Sequence, residues 1–330
     1  MLKFMRDSYG RTIDYLRISV TDRCNFRCRY CMPPEGVKQI DHADILSYEE
    51  LLRVITILGT HGVSKIRLTG GEPLVRKGIV DFIHNIRLIG TIKEVTMTTN
   101  GSLLGDMARE LKMAGLDRVN ISIDTLDAKR FTNITGRGNL EDTLRGIESA
   151  IDAGLTPVKL NVVVTEALSE TDILYFVDKV QEIPVAVRFI EYMPVGSCRV
   201  KPGYSIARIK EIINKANRGV LEPIVVAKGN GPAKYYQLTD AMGIFGFITP
   251  ISEHFCQSCN RIRLTADGKI KPCLLANNEI NIKTALRSGS SDQDILELFF
   301  QALQEKTVGH GLGDTQNGVD LTRGMFQVGG

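Results

Sequence analysis

The residues with most chemical capacity lie together in one short run. Cys24, Cys28 and Cys31 occur in CNFRCRYC, spaced C-x3-C-x2-C. This spacing folds three thiolates toward one point, one ligand short of a closed tetrahedral site. Iron–sulfur clusters are ordinarily held by four cysteines, so a [4Fe–4S] cube held by three leaves one iron open to a further ligand. Arg23, Arg27 and Arg29 are interleaved with the thiols and are expected to offset the negative charge of thiolates and cluster. The competing reading is a zinc knuckle or a set of buried thiols. Against it stands the preference of zinc sites for paired C-x2-4-C halves.

A second triplet, Cys256, Cys259 and Cys273, is spaced C-x2-C-x13-C in FCQSCNRIRLTADGKIKPCL. Taken alone it also suits a Cys3His zinc site completed by His254 or another residue. Two incomplete triplets in one chain shift the balance toward two clusters. Arg261 and Arg263 stand at i and i+2 on a strand-like run, so both guanidinium groups can face one cavity, where paired arginines suit phosphate or a base edge. The plain alternative for them is a solvated strand face. Cys198 is a lone thiol and reads as packing. The five histidines show no paired metal spacing, and neither a Walker-type loop nor a G-x-G-x-x-G fingerprint is present. A nucleoside triphosphate, if bound, must therefore be held by Arg and Lys side chains.

These residues need elements to position them. Short β-rich runs at Leu16–Val20, Lys65–Thr69, Glu94–Thr98, Arg118–Ile123, Val158–Val164 and Val185–Ile190 alternate with helix-patterned stretches. The helices are expected at Tyr48–Leu58 (with a Ser47/Glu50 capping box), Ile79–Leu88, Leu103–Met113, Leu140–Ala153 and Thr171–Val180. Six β-α units with short connections imply a parallel sheet of right-handed crossovers. Most of the strands alternate apolar and polar, as in Ile66 and Leu68 against Lys65, Arg67 and Thr69. Period 2 gives each strand a polar face, whereas a doubly covered sheet or a filled closed barrel reads as nearly continuous apolar strands. The expected α/β fold is thus an incomplete, splayed (β/α)6 TIM-like barrel with helices outside and a polar lumen. CNFRCRYC, Gly70-Gly71-Glu72-Pro73 and Thr99-Asn100-Gly101 each follow a strand, which places all three at the mouth where barrel chemistry is done.

Past Tyr192-Met193-Pro194 the pattern changes to one more helix (Ser205–Ala216), short strand-like runs to about residue 275, a helix at Asp292–Glu305 and a glycine-rich tail. The expected organisation is a partial barrel over 1–200 and a C-terminal segment over 201–330 that covers the barrel mouth and carries the second triplet. With 43% hydrophobic and 24% charged residues over 330 positions, the chain has the composition of a globular protein with a large core. A net charge of +3 is too small to argue for nucleic acid. The first residues lack the apolar core of a signal peptide, and no apolar run reaches membrane-spanning length. With six of seven cysteines in two groups, the usage points to a reducing cytosol and to metal rather than disulfides.

Both triplets, GGEP, TTNG, RIRL after the second CxxC, and the terminal Gly-Gly together resemble the GTP 3′,8-cyclase (MoaA) family of molybdenum-cofactor biosynthesis, within the radical S-adenosylmethionine (SAM) superfamily. The resemblance runs from about Leu16 to Gly330. It implies that Cys24, Cys28 and Cys31 bind the SAM-cleaving [4Fe–4S] cluster and that Tyr30, Gly71, Ser122 and Met193 lie against SAM. It implies that Cys256, Cys259 and Cys273 hold a second [4Fe–4S] cluster whose open iron takes the guanine of GTP. Arg17, Arg67, Thr98, Lys159, Arg261 and Arg263 are implied to contact GTP. The implied activity is that of a lyase. A 5′-deoxyadenosyl radical takes the C3′ hydrogen of GTP, the C3′ radical attacks C8, and reduction gives 3′,8-cyclo-7,8-dihydroguanosine 5′-triphosphate.

The same resemblance implies an external electron donor, a cyclic pyranopterin monophosphate synthase downstream, a homodimer, and a Gly329-Gly330 tail reaching into the site. One departure is VGSCRVKPGYS after Met193, without the Trp that relatives often carry there; the chain has no Trp at all. Two other functions compete: a radical-SAM enzyme acting on peptides with an auxiliary cluster, and a non-catalytic iron–sulfur or metal-binding module. The first usually has more than three C-terminal cysteines. The second leaves a lumen lined by Arg17, Arg67 and Lys159 unexplained.

Overall fold

The computed structural model describes residues 4–33, 35–196, 200–216, 219–226, 231–309 and 321–329. Strands β1 (Tyr15–Ser19), β2 (Lys65–Thr69), β3 (Glu94–Thr99), β4 (Arg118–Ser122), β5 (Val158–Val164) and β6 (Val185–Glu191) pair in chain order, each parallel to the next. Helices α1 (Tyr48–Gly59), α2 (Ile79–Arg87), α3 (Leu104–Met113), α4 (Ala128–Thr135), α5 (Leu140–Asp152) and α6 (Glu170–Glu182) occupy the crossovers. The capping box at α1 is formed: Glu50 N donates to Ser47 Oγ at 3.2 Å and Ser47 N to Glu50 Oε2 at 2.7 Å. Ser169 and Asp172 repeat it at α6. Helix α4 has no counterpart in the sequence-based assignment. It is capped by Asp127, whose Oδ1 accepts from Arg130 N at 2.8 Å.

Strand parity sets which side is which. Leu16, Ile18, Ile66, Leu68, Val95, Met97, Val119 and Ile121 are fully or almost fully buried and belong to the main core under the helices. Burying such a side chain stabilises the fold by about 1.5–3 kcal/mol. A one-residue slip would turn the whole set toward the lumen, so the register is firmly specified.

The C-terminal part extends this framework at both edges. After α7 (Ile206–Lys215) come β7 (Leu221–Ile224), β8 (Lys234–Leu238), β9 (Ile244–Ile248), β10 (Arg261–Leu264), β11 (Lys269–Lys271) and β12 (Ile280–Asn281), then α8 (Lys283–Arg287), α9 (Asp292–Gln304) and α10 (Met325–Val328). Strand β9 adds in parallel to β6, and β10 adds in parallel to β1, on the opposite edge. The result is one sheet ordered β12-β11-β10-β1-β2-β3-β4-β5-β6-β9-β8-β7. Both open edges of the partial barrel are thereby paired, which removes exposed ladder groups.

Topology also separates the two cysteine triplets. The first follows the C-terminal end of β1. Cys256 and Cys259 directly precede β10, whose Arg261 lies beside Tyr15 at the start of β1. Cys273 follows β11, which runs antiparallel to β10 and so returns to the same end. The second triplet therefore enters at the N-terminal end of the strands, opposite the mouth that holds the first.

Candidate active site

One cavity of ≈ 350 Å³ runs through the partial barrel, and all six triplet cysteines line it. So do Tyr30, Gly71, Ser122 and Met193, and so do Arg17, Arg67, Thr98, Lys159, Arg261 and Arg263. These residues come from widely separated parts of the chain, and strand parity aims them inward. Register puts Arg17 beside both Arg67 and Arg263, Arg67 beside Thr96, and Asn120 beside Lys159.

At the mouth, the first cysteine loop is fastened by its backbone. Arg27 N donates to Thr135 O at 2.7 Å and Arg29 N to Ile134 O at 3.0 Å, both at the end of α4. Cys31 N and Met32 N both donate to Cys28 O at 2.9 Å, and Phe26 N points at Cys24 Sγ at 3.4 Å. The GGEP turn packs directly behind. Gly71 N donates to Thr21 O and Glu72 N to Arg23 O, each at 2.8 Å. A Cβ on Gly71 would stand 2.3 Å from Arg23 O, and Gly70 adopts φ +145, so this close approach requires the two glycines. Glu72 is buried and accepts from Leu74 N (3.1 Å), Thr99 Oγ1 (2.7 Å) and Asn100 N (2.6 Å), tying the GGEP turn to the turn after β3. Burial pushes its carboxyl up to about 7, although those three donors pull the other way. Tyr30 Oη donates to Asp124 Oδ2 at 2.7 Å, and burial lifts Asp124 to about 6.

Arg23, Arg27 and Arg29 do not line the cavity. Arg29 is exposed and Arg27 packs against Gly36. The loop's spacing aims its thiols inward, while Arg23 is half-buried with its Nε fully enclosed.

Along the lumen, eight basic side chains meet two carboxylates, Glu94 and Glu191. Lys65 is paired with Asp14 at 2.9 Å, and Arg118 with Glu94. Lys159 is pulled down to about 7 by burial and by Arg188, Arg118 and Arg67. Burial and Arg263 together depress Arg17 well below the ordinary guanidinium range; a guanidinium stays protonated all the same, so crowded like charge is held there. Thr98 Oγ1 is buried with no partner among the described residues. A polyanion with hydrogen-bond acceptors answers both features.

At the opposite end, burial raises Cys259 while Arg261, Lys306 and hydrogen bonds from Arg261 lower it; the lowering prevails, to about 7. Cys24, by contrast, is pushed up to about 11 by burial. Among the described residues no three His, Cys, Asp or Glu side chains converge as a single-ion site. Each triplet offers three thiols to the same cavity, one short of the four that close an ordinary iron–sulfur or zinc site.

The C-terminal tail also reaches the cavity. Gly329 O accepts from Arg263 Nη1 at 2.5 Å and from Arg17 Nη2 at 3.5 Å, and Met325 and Phe326 line the wall. Gly330 and Cys198 lie outside the described residues.

Sequence reasoning missed Lys65, Arg118 and Arg188, which line the same cavity. Arg188 is buried, and its Nε donates to Asn161 Oδ1 at 3.0 Å. With its amide oxygen turned inward, Asn120 accepts from Arg188 Nη2 at 3.0 Å and from Arg67. The signal was available: Lys65 shares the parity of Arg67, Arg118 that of Asn120 and Ser122, and Arg188 interrupts an otherwise apolar strand.

Comparison with known proteins agrees with this geometry. Residues 18–180 match the family model "Radical SAM superfamily", and residues 185–312 match "Molybdenum Cofactor Synthesis C". The chain is 47% identical over 328 residues to the GTP 3′,8-cyclase of Desulforamulus reducens, covering 99% of this chain and 100% of that one. It is 46% identical over 327 residues to the enzyme of the same name from Moorella thermoacetica, with the same coverage. Among solved structures, Streptococcus suis SuiB bound to S-adenosylmethionine superposes with TM-score 0.63 at 16% identity, covering 96% of this chain and 77% of that one. The AdoMet-bound anSMEcpe superposes with TM-score 0.57 at 15% identity, covering 87% and 80%. At that identity the structural likeness speaks for the partial-barrel fold alone.

Proposed function

This chain belongs to the GTP 3′,8-cyclase family, and from that premise we propose that it converts GTP to 3′,8-cyclo-7,8-dihydroguanosine 5′-triphosphate in molybdenum-cofactor biosynthesis. The observation that carries the reading is the basic lumen between two incomplete cysteine triplets at opposite ends of one cavity. When bound, SAM and a reduced [4Fe–4S] cluster supply a carbon radical able to abstract hydrogen. Cys24, Cys28 and Cys31 hold that cluster at the mouth. Tyr30, Gly71, Ser122 and Met193 border the space beside it, where SAM is bound.

GTP lies in the lumen. Arg17, Arg67, Lys159, Arg261 and Arg263 neutralise its phosphates and orient it by charge-assisted hydrogen bonds, and Thr98 Oγ1 supplies a further polar contact. Lys65 and Arg188 face the same space and extend the cationic wall. Cys256, Cys259 and Cys273 would hold a second [4Fe–4S] cluster at the far end, which would supply a ligand site for the guanine. A five-residue strand spans about 17 Å, and guanine at the far end leaves the ribose on its mouth side, with the triphosphate turned against the cationic wall. The cavity walls keep water from the reacting carbons, which protects a radical from side reactions. The protein draws electrons from an external donor and works as a homodimer upstream of a cyclic pyranopterin monophosphate synthase.

The test is anaerobic reconstitution with iron and sulfide, then addition of SAM and a strong reductant with or without GTP. Deoxyadenosine that depends on GTP, matched by a cyclised nucleotide, is the expected result. Equal deoxyadenosine without GTP would refute the substrate, and none from an iron-loaded sample would refute the radical mechanism.

A further inference from the structure

Lys306 lies just past the end of α9 and is 4% exposed. Its Nζ donates to Arg261 O at 3.0 Å and to Pro272 O at 2.6 Å. Arg261 is two residues beyond Cys259, and Pro272 immediately precedes Cys273. One ammonium group therefore ties together the two arms that carry the second triplet. Among the described residues no carboxylate pairs with it. The neighbouring buried lysine of this segment differs: Lys271 donates to Ala276 O at 2.7 Å and also pairs with Glu279 at 3.2 Å.

A buried ammonium solvated only by carbonyl dipoles carries an uncompensated charge, which is costly in an apolar setting. Both carbonyls stand within two residues of a thiol of the second triplet. Three thiolates around a [4Fe–4S] core carry net negative charge, and reduction adds one more. A fixed cation beside them compensates the bound cluster and stabilises its reduced form more than its oxidised form.

Resting on the two-cluster reading above, we propose that Lys306 is the built-in counter-charge of the second cluster: a positioning residue that holds the Cys259 and Cys273 arms together and raises that cluster's reduction potential. The ammonium charge, rather than the side chain's bulk, is what the site uses.

The experiment compares the reconstituted holoenzyme with its Lys306→Met, Lys306→Arg and Cys259→Ala variants by iron content and by EPR-monitored potentiometric titration. The couple absent from Cys259→Ala belongs to the second cluster. In Lys306→Met that couple is expected to shift to more negative potential while the other stays in place, and in Lys306→Arg both stay where the parent has them. If Lys306→Met fails to retain the second cluster, retention in Lys306→Arg supports the same conclusion, because Arg keeps a cationic donor at this place and Met keeps only the length of the side chain. An unshifted couple in Lys306→Met, or equal loss of iron in both variants, overturns the proposal. A single couple in the parent, with iron unchanged in Cys259→Ala, instead refutes the two-cluster reading, and the proposal falls with it.

Discussion

Lys159 shows how one residue can register the substrate. Burial and three neighbouring guanidinium groups bring it to about 7, against 10.5 for a free lysine, so at neutral pH it is only partly charged. A bound triphosphate reverses the local field and returns the proton. GTP binding near pH 7 is therefore expected to take up protons, and affinity is expected to fall as pH rises through 7. Titration calorimetry in two buffers of different ionisation enthalpy reads the uptake, and Lys159→Met should reduce it. Glu72 is shifted the other way, upward. Its native value of about 7 exceeds the ordinary 4.5, so the native state holds an extra proton in that window and its contribution to stability is lost as pH rises through 7. Glu72→Ala leaves Leu74 N, Thr99 Oγ1 and Asn100 N without their acceptor. With about 1–3 kcal/mol for each buried group left unsatisfied, denaturant titration should show a loss of that order or more.

Among the elements, the strands were the most legible. Runs such as Lys65–Thr69 alternate strictly, because one face meets helices and the other a polar lumen, and period 2 reports that division directly. Parity also contained Lys65, Arg118 and Arg188, which resemblance alone did not supply. The C-terminal strands were harder to read. Pairing of β9 with β6 and of β10 with β1 joins segments far apart in sequence, and nothing local in Ile244–Ile248 or Arg261–Leu264 says which edge will accept them. The second triplet's place opposite the mouth follows from that pairing and was hidden with it. Helix packing offers its own check. Gly146 of α5 presses on the turn after β3, and a Cβ there would stand 2.2 Å from Gly101 O. Gly146→Ala should cost about 1–3 kcal/mol by overpacking, seen as a lowered denaturation midpoint, and should loosen the Thr99-Asn100-Gly101 turn that Glu72 holds.

For the whole molecule, the controlling feature is a partial barrel extended at both edges around a cationic cavity with thiols at each end. No helix among the described residues is long and apolar enough to cross a membrane. If both triplets carry cubes, a reconstituted chain holds about eight irons, and Cys259→Ala about four, as iron and sulfide analysis will show. In the proposed binding mode the ribose of GTP, rather than its base, faces the SAM end. GTP deuterated at C3′ tests that orientation most directly, with anaerobic turnover followed by mass analysis of the 5′-deoxyadenosine. One deuterium is expected in 5′-deoxyadenosine for each nucleotide cyclised. Unlabelled 5′-deoxyadenosine formed alongside a GTP-derived product would contradict it, because hydrogen would then have come from a position that this cavity does not present to the mouth.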